Sequence, residues 1–192
     1  MENTFFATLF RMKYISRWGL MRCNFGENLS EHSLEVAFLA HALALIGNQV
    51  FGKAYDCGAV CVKAMYHDAP EILTGDLPTP VKYFNPEIRD AYKAVEAVSA
   101  RRLLALLPPE LQQVYAPLLG EDAGGELHAI VKAADKLSAY IKCVEELKAG
   151  NHEFKQAAEQ TLEALKASPL PEVGYFMEHF LPGFSLTLDE LQ

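Results

Sequence analysis

The sequence predicts an all-α protein, a single helical bundle spanning residues 1–192. Three observations carry that expectation. Apolar residues recur at helical spacing almost from end to end, no stretch alternates with period two, and the breaks coincide with Pro, Gly or capping residues. The length of 192 residues suits one core, since domains run to about 100–200 residues. A composition of 51% hydrophobic and 22% charged residues supplies the apolar material for it.

In chain order, Ser30 is suited to cap a long helix over residues 31–50, with Leu34, Phe38 and Leu45 expected on its buried side. Gly52 punctuates. A second helix runs from about residue 55 through Val60, Ala64 and His67 and ends near Asp68, because Pro70 disfavours helical backbone at Ala69. The run Thr74-Gly75-Asp76-Leu77-Pro78-Thr79-Pro80 is expected to be a loop. Asn85-Pro86 then opens a helix to about residue 107, with Pro86 at its first position, and Pro108-Pro109 separates it from a shorter one to about residue 115. Residues 120–125 read as a surface loop. Residues 126–148 form the clearest amphipathic helix, with Ile130, Ala134, Leu137, Ile141, Val144 and Leu147 in one stripe and Gly150 as its stop. Helices over 153–167 and near 173–180 complete the chain.

The net charge is −8 and the pI about 5.2, which argues against a long nucleic acid as partner. Residues 1–26 depart from that balance: Arg11, Lys13, Arg17 and Arg22 face one acid, Glu2, a local excess of +3. That excess is either a solvated basic face or a seat for a small anion. Cys23, Cys57, Cys61 and Cys143 have no disulfide-framework or CxxC spacing, and Cys57 and Cys61 share a helical face, so reduced thiols are expected. No amino-terminal signal pattern and no uninterrupted apolar run of about 18 residues occurs, and a cytoplasmic protein without a membrane partner is expected.

His67 and Asp68 are adjacent where a helix runs into a Pro/Gly loop. At a helix end two neighbours can turn toward one ion, whereas inside the helix they diverge by roughly 100°. Imidazole with carboxylate suits a transition metal better than Ca or Mg. His32 lies in the first turn of the preceding long helix. Asp135 interrupts Ala133-Ala134-Asp135-Lys136-Leu137 beside an apolar stripe, and a carboxylate there needs a cation, a donor or solvent. It is either a ligand or an exposed partner of Lys132 or Lys136. Glu71, four residues after His67, is either placed to take a proton near such a metal or is a helix-start carboxylate after Pro70.

The order His32, His67-Asp68, Asp135 on successive helices resembles the HD-domain metal-dependent phosphohydrolases. The words Arg17-Trp18, Glu31-His32-Ser33, His67-Asp68-Ala69-Pro70-Glu71, Thr74 to Lys82 and Ala134-Asp135-Lys136 resemble the bacterial HD-domain 5′-deoxynucleotidases, over about residues 5–180. That resemblance implies hydrolysis of deoxynucleoside 5′-monophosphates at one divalent transition metal ion, Co, Mn or similar. It assigns His32, His67, Asp68 and Asp135 to the metal and Glu71 to the attacking water. Arg17, with its guanidinium fork, goes to phosphate, and Trp18 to the sugar, where it helps exclude a ribose 2′-hydroxyl. His67, Asp76, Leu77, Pro78, Thr79 and Asp135 complete the substrate contacts. It also implies a homodimer, for which Gly174-Tyr175-Phe176-Met177 suits an interface or a core equally.

Two other readings share the motif. A two-metal phosphodiesterase would need further histidines between Asp68 and Asp135, where only His128 occurs, and a triphosphate hydrolase would need more cations near the motifs. A silent nucleotide-binding scaffold would be expected to have lost some of the ligands or Glu71. His41, His128, His152 and His179 match no motif.

Overall fold

The computed structural model describes residues 3–82, 84–120 and 125–191. Among them there is no strand, and the one β pairing is an isolated antiparallel bridge between Ser16 and Asn28. The helices are α1 (Phe5–Leu9), α2 (Leu29–Val50), α3 (Cys57–Tyr66), α4 (Glu71–Thr74), α5 (Thr79–Lys82), α6 (Pro86–Leu104), α7 (Pro109–Leu119), α8 (Glu126–Lys148), α9 (Lys155–Lys166) and α10 (Pro171–His179), with short 3₁₀ turns between and after them. The all-α expectation holds.

The chain divides into two compact units. One contains Met1–Arg22, Gly26–Leu34 and Met65–Ala123; the other contains Cys23–Phe25, Glu35–Ala64 and Gly124–Gln192. In the first, Phe5, Ala69, Ala100, Leu103, Leu107 and Leu119 form the core. Tyr115 meets Phe5 edge-on at 5.2 Å and Tyr66 at 5.8 Å between ring centroids. In the second, Val36, Ala40, Leu43 and Ala44 of α2 pack with Val60, Ile130, Leu137 and Phe176.

The start of α2 corrects one expectation. Asn28, not Ser30, is the cap: its Oδ1 accepts from the backbone N–H groups of Ser30 (3.0 Å) and Glu31 (3.1 Å), and Glu31 Oε2 accepts from the N–H of Asn28 at 3.2 Å. This reciprocal box satisfies three donors that a helix start otherwise leaves bare.

The inward face of α2 is a second correction. Leu34, Phe38 and Leu45 are 50%, 65% and 41% exposed, while Val36, Ala40, Leu43 and Ala44 are fully buried. The helix is apolar nearly all round, with mean hydropathy 1.3 over 18 residues, so large side chains do not mark its inner side. The alanine-rich face lets neighbouring helices approach closely and goes inward. α2 is also long and apolar enough to cross a membrane by length and composition, and half of that stretch is buried inside the protein.

Other bounds follow their punctuation. The Asn85 side chain accepts from the N–H of Ile88 at 2.7 Å and caps α6 as expected. α7 continues beyond residue 115 and past Pro117, because Leu119, 4% exposed, is anchored in the core. The expected loop over 74–80 is shorter: Thr74 closes α4, Thr79 opens α5, and Gly75–Pro78 remain irregular. Gly75 has φ +76°, a conformation that favours glycine. Of the expected loop at 120–125, residues 121–124 lie outside the described residues.

α8 has the expected bounds, and Gly150 with φ +82° follows it. Toward its end the buried side rotates from Val144 and Leu147 to Lys142, Cys143 and Glu146. Glu146 is fully buried and accepts from the backbone N–H groups of Asn24 (2.9 Å) and Phe25 (3.1 Å), from Lys142 Nζ (2.8 Å) and from Asn151 Nδ2 (2.9 Å). Burial alone would raise its pKa; these donors outweigh it and bring the carboxyl down to about 2. On α10, Phe176 is 5% exposed and Tyr175 and Met177 pack on the core, so the segment 174–177 serves the interior. The four cysteines form no disulfide among the described residues.

Candidate metal centre and substrate site

The site in the first unit begins with a closed loop ahead of α2. The backbone N–H of Arg17 donates to the carbonyl of Glu27 at 3.0 Å and that of Leu29 to the carbonyl of Ile15 at 2.9 Å, which pins the two ends together. At the turn between them Trp18 has φ +60°, the only non-glycine residue with positive φ among those described. Such a conformation costs roughly 1–2 kcal/mol and persists where surroundings enforce it, often at functional sites. The indole Nε1 donates to Glu27 Oε2 at 2.6 Å. Trp18 is half-buried, so it is not a core aromatic.

α3 stops at Tyr66, and His67 to Pro70 form a tight turn in which the N–H of Ala69 donates to the carbonyl of Tyr66. That turn lets His67 and Asp68 converge: Nε2 of His67 is 3.1 Å from Oδ2 of Asp68. Nε2 of the fully buried His32 is 3.4 Å from the same oxygen. The ligand nitrogens of the two histidines lie within 4.8 Å of each other, and the rings are 5.3 Å apart between centroids. Two donors on one ion with bonds of about 2.1 Å at angles of 90–110° stand roughly 3.0–3.4 Å apart, so the spacing around Asp68 fits a transition metal. Arg17 Nη1 is 3.5 Å from Asp68 Oδ2.

Electrostatics divides the acids. At Asp68 burial works against ionisation, but the imidazoles of His67 and His32 outweigh it and hold the carboxyl well below its usual range. Glu71, the first residue of α4 and 6% exposed, shows the reverse: burial, then the charges of Asp68 and Asp76, push it up to about 9. Its Oε2 is buried without a hydrogen-bond partner among the described residues. Asp76 is raised too, by burial first, and the backbone of Trp18 bonds to its carboxylate.

The loop carrying Asp76, Leu77 and Pro78 is bonded to α6 at its start, and α5 after it is bonded to α6 at its end. Tyr92 Oη donates to the carbonyl of Gly75 at 3.2 Å. One turn on, Glu96 binds Lys82 Nζ at 2.8 Å, with the ammonium 4.6 Å from the centre of the Tyr92 ring. The side chain of Thr79 lies outside the described residues.

The structure therefore brings Arg17, Trp18, His32, His67, Asp68, Glu71 and Asp76 together in one unit. Asp135 is half-buried on α8, in the other unit, while Lys132 and Lys136 beside it are exposed. Glu27 escaped the sequence reading. It sits in an irregular stretch with no periodicity, and its one signal is to be an isolated acid five residues before a candidate ligand. Tyr92 and Glu96 escaped as well, since on a mostly polar helix they look like surface residues.

An all-α unit with an imidazole–carboxylate cluster at the end of a helix is the mark of the HD-domain phosphohydrolases, and the solved structures agree. An HD-domain phosphohydrolase from Listeria innocua superposes with TM-score 0.83 at 24% identity, covering 94% of this chain and 88% of that one, which establishes the fold. The cyanophage S-2L HD phosphohydrolase DatZ, bound to dA and one catalytic Zn²⁺ ion, has TM-score 0.64 at 26% identity over 94% of this chain and 96% of its own. Residues 4–184 match the family model described as 5′-deoxynucleotidase YfbR-like, and the chain belongs to that family. A 5′-deoxynucleotidase of Vibrio cholerae is 53% identical over 99% of this chain and 98% of its own, and the 5′-deoxynucleotidase YfbR of Escherichia coli O1:K1 is 52% identical over 99% and 96%.

Proposed function

We propose that the chain acts as one catalytic domain that hydrolyses deoxynucleoside 5′-monophosphates to deoxynucleosides and phosphate. It is a metal-dependent 5′-deoxynucleotidase of the HD superfamily. The observation that carries the site is the convergence of His32 Nε2 and His67 Nε2 on one oxygen of Asp68, at 3.4 and 3.1 Å. In this reading His32, His67, Asp68 and, from α8, Asp135 hold one divalent transition metal, Co, Mn or a similar ion; DatZ is a relative whose catalytic ion is Zn²⁺. When bound, such an ion polarises a phosphoryl oxygen and acidifies water.

The chain's own groups do the rest. Glu71 orients the attacking water and takes its proton; burial and the charge of Asp68 favour its neutral form, and the positive charge of a cation on the neighbouring ligands would restore the carboxylate that this role needs. Arg17 binds the phosphate with the guanidinium edge near Asp68. Trp18 packs on the sugar and disfavours a 2′-hydroxyl, which by shape alone gives preference rather than absolute rejection. Asp76 accepts from a sugar hydroxyl, and Leu77, Pro78 and Thr79 line the nucleotide. A cytoplasmic homodimer fits the exposed stripe Leu34–Phe38–Leu45 on α2 better than it fits the segment 174–177.

Chelator-stripped protein reloaded with Co²⁺, Mn²⁺ or Zn²⁺ and given a panel of 5′-mono-, di- and triphosphates tests this. Metal-dependent phosphate release from deoxynucleoside monophosphates is the expected result. Absence of release from every monophosphate would overturn it.

A further inference from the structure

Glu27 is a buried carboxylate outside every motif, 8% exposed at its side chain, and three groups of the site converge on it. Oε1 is 3.2 Å from Arg17 Nε and 3.3 Å from His32 Nδ1, and Oε2 takes the Trp18 indole at 2.6 Å. We propose that Glu27 is a positioning residue shared by the metal half and the substrate half of the site, so that affinity for the ion and affinity for the nucleotide depend on one side chain. The inference rests on the assignment of His32 to the metal and of Arg17 and Trp18 to the substrate.

A carboxylate at Nδ1 fixes the imidazole proton there, which leaves the lone pair on Nε2, the atom 3.4 Å from Asp68 Oδ2. Two electron-pair donors at that spacing repel unless a cation lies between them, so Glu27 selects the tautomer that makes His32 a ligand. At Arg17, the ion pair between Nε and Glu27 leaves the Nη1 edge toward Asp68. At Trp18, the indole bond and the carbonyl of Glu27 on the N–H of Arg17 enforce the left-handed backbone that the side chain itself disfavours. A residue that merely neutralised Arg17 would need one of these contacts, not three.

The test uses Glu27→Gln, which keeps the volume, and Glu27→Ala. Three quantities are read: Co²⁺ affinity by competition with a chelator, KM and kcat for dAMP, and indole fluorescence excited to the red of tyrosine absorption, which reports Trp18 alone because the chain has one tryptophan. For Glu27→Gln, Co²⁺ binding is expected to weaken about 10–100-fold, as on loss of a carboxylate behind a ligating histidine. KM should rise about tenfold, the size of one charged hydrogen bond, with a smaller fall in kcat. Glu27→Ala should in addition shift the Trp18 emission to the red; if it fails to fold, the near-isosteric Gln variant decides alone. Wild-type Co²⁺ affinity or wild-type KM in a folded Glu27→Gln protein would overturn the proposal. His32→Ala separates it from its premise: loss of Co²⁺ there but not in Glu27→Gln sinks the shared role alone, and Co²⁺ retained in both sinks the ligand assignment with it.

Discussion

Glu71 and Glu146 are the same residue type, equally hidden from water, and their carboxyl groups behave in opposite ways. Glu146 is fully buried at the end of α8 with four donors around it and is brought down to about 2. Glu71 is 6% exposed at the start of α4, leaves one oxygen without a hydrogen-bond partner among the described residues, faces two further acids, and is pushed up to about 9. Burial raises both; what differs is the company. A satisfied buried acid is an architectural brace, while an unsatisfied one held beside like charge is kept reactive by the fold around it.

Substitutions probe that contrast. The largest effect is expected for Glu71→Ala, with kcat lower by about 10²–10⁴-fold, the usual worth of a general base, and metal content unchanged by elemental analysis. Full activity in this variant would remove Glu71 from the chemistry. Next comes Glu146→Gln, which takes away the charge facing Lys142 and should destabilise by about 3 kcal/mol, or roughly 6–12 °C in a melt of a chain this size. Glu71→Gln, by contrast, should raise rather than lower the melting temperature of metal-stripped protein at pH 7, since the neutral amide carries no cost of ionising there. Equal losses at the two positions would collapse the comparison.

The pH dependence sharpens it, with opposite signs. The folded pKa of Glu146 lies below its ordinary 4.5, so its stabilisation is present above that value and fades as pH falls from about 4.5 toward 2. At Glu71 the folded value lies above the ordinary one, so metal-stripped protein should lose stability as pH rises from about 4.5 to 9. Melts across pH on the two Gln variants should each lack one of these slopes. The smallest expected effect is Gly150→Ala, about 1 kcal/mol for placing a Cβ at φ +82° beside the Asn151 that supports Glu146, where space is open and backbone alone decides.

These differences also mark what the sequence made legible. The start of α6 and the bounds of α8 could be read because Asn85-Pro86 and Gly150 are local signals that act through backbone geometry alone, whereas α6 ends at Leu104, short of the expected 107. The inner face of α2 could not, since a helix apolar on most sides carries no directional information and the decision falls to how closely its alanines let neighbours approach. His32, His67, Asp68 and Glu71 were singled out by the order of their motif words and the resemblance those words carry. Glu27 and Glu146 were not: the donors to Glu27, Trp18 and His32, are near in sequence but at no helical spacing that pairs them with it, and those to Glu146 include Asn24 and Phe25 from the far end of the chain. The pairing of Lys142 with Glu146 four residues apart was visible, but on paper it is indistinguishable from a surface pair.

The grip of α6 on the loop after Gly75 has a consequence of its own. Tyr92 fastens the start of that loop at Gly75, and Glu96 fastens α5, which follows it, through Lys82. A loop already ordered loses little conformational freedom on binding, so the contacts proposed for Asp76 and its neighbours would count almost in full toward affinity. Changes at Tyr92 or Glu96 on α6 would then tune how tightly a nucleotide is held, by setting how freely the loop moves.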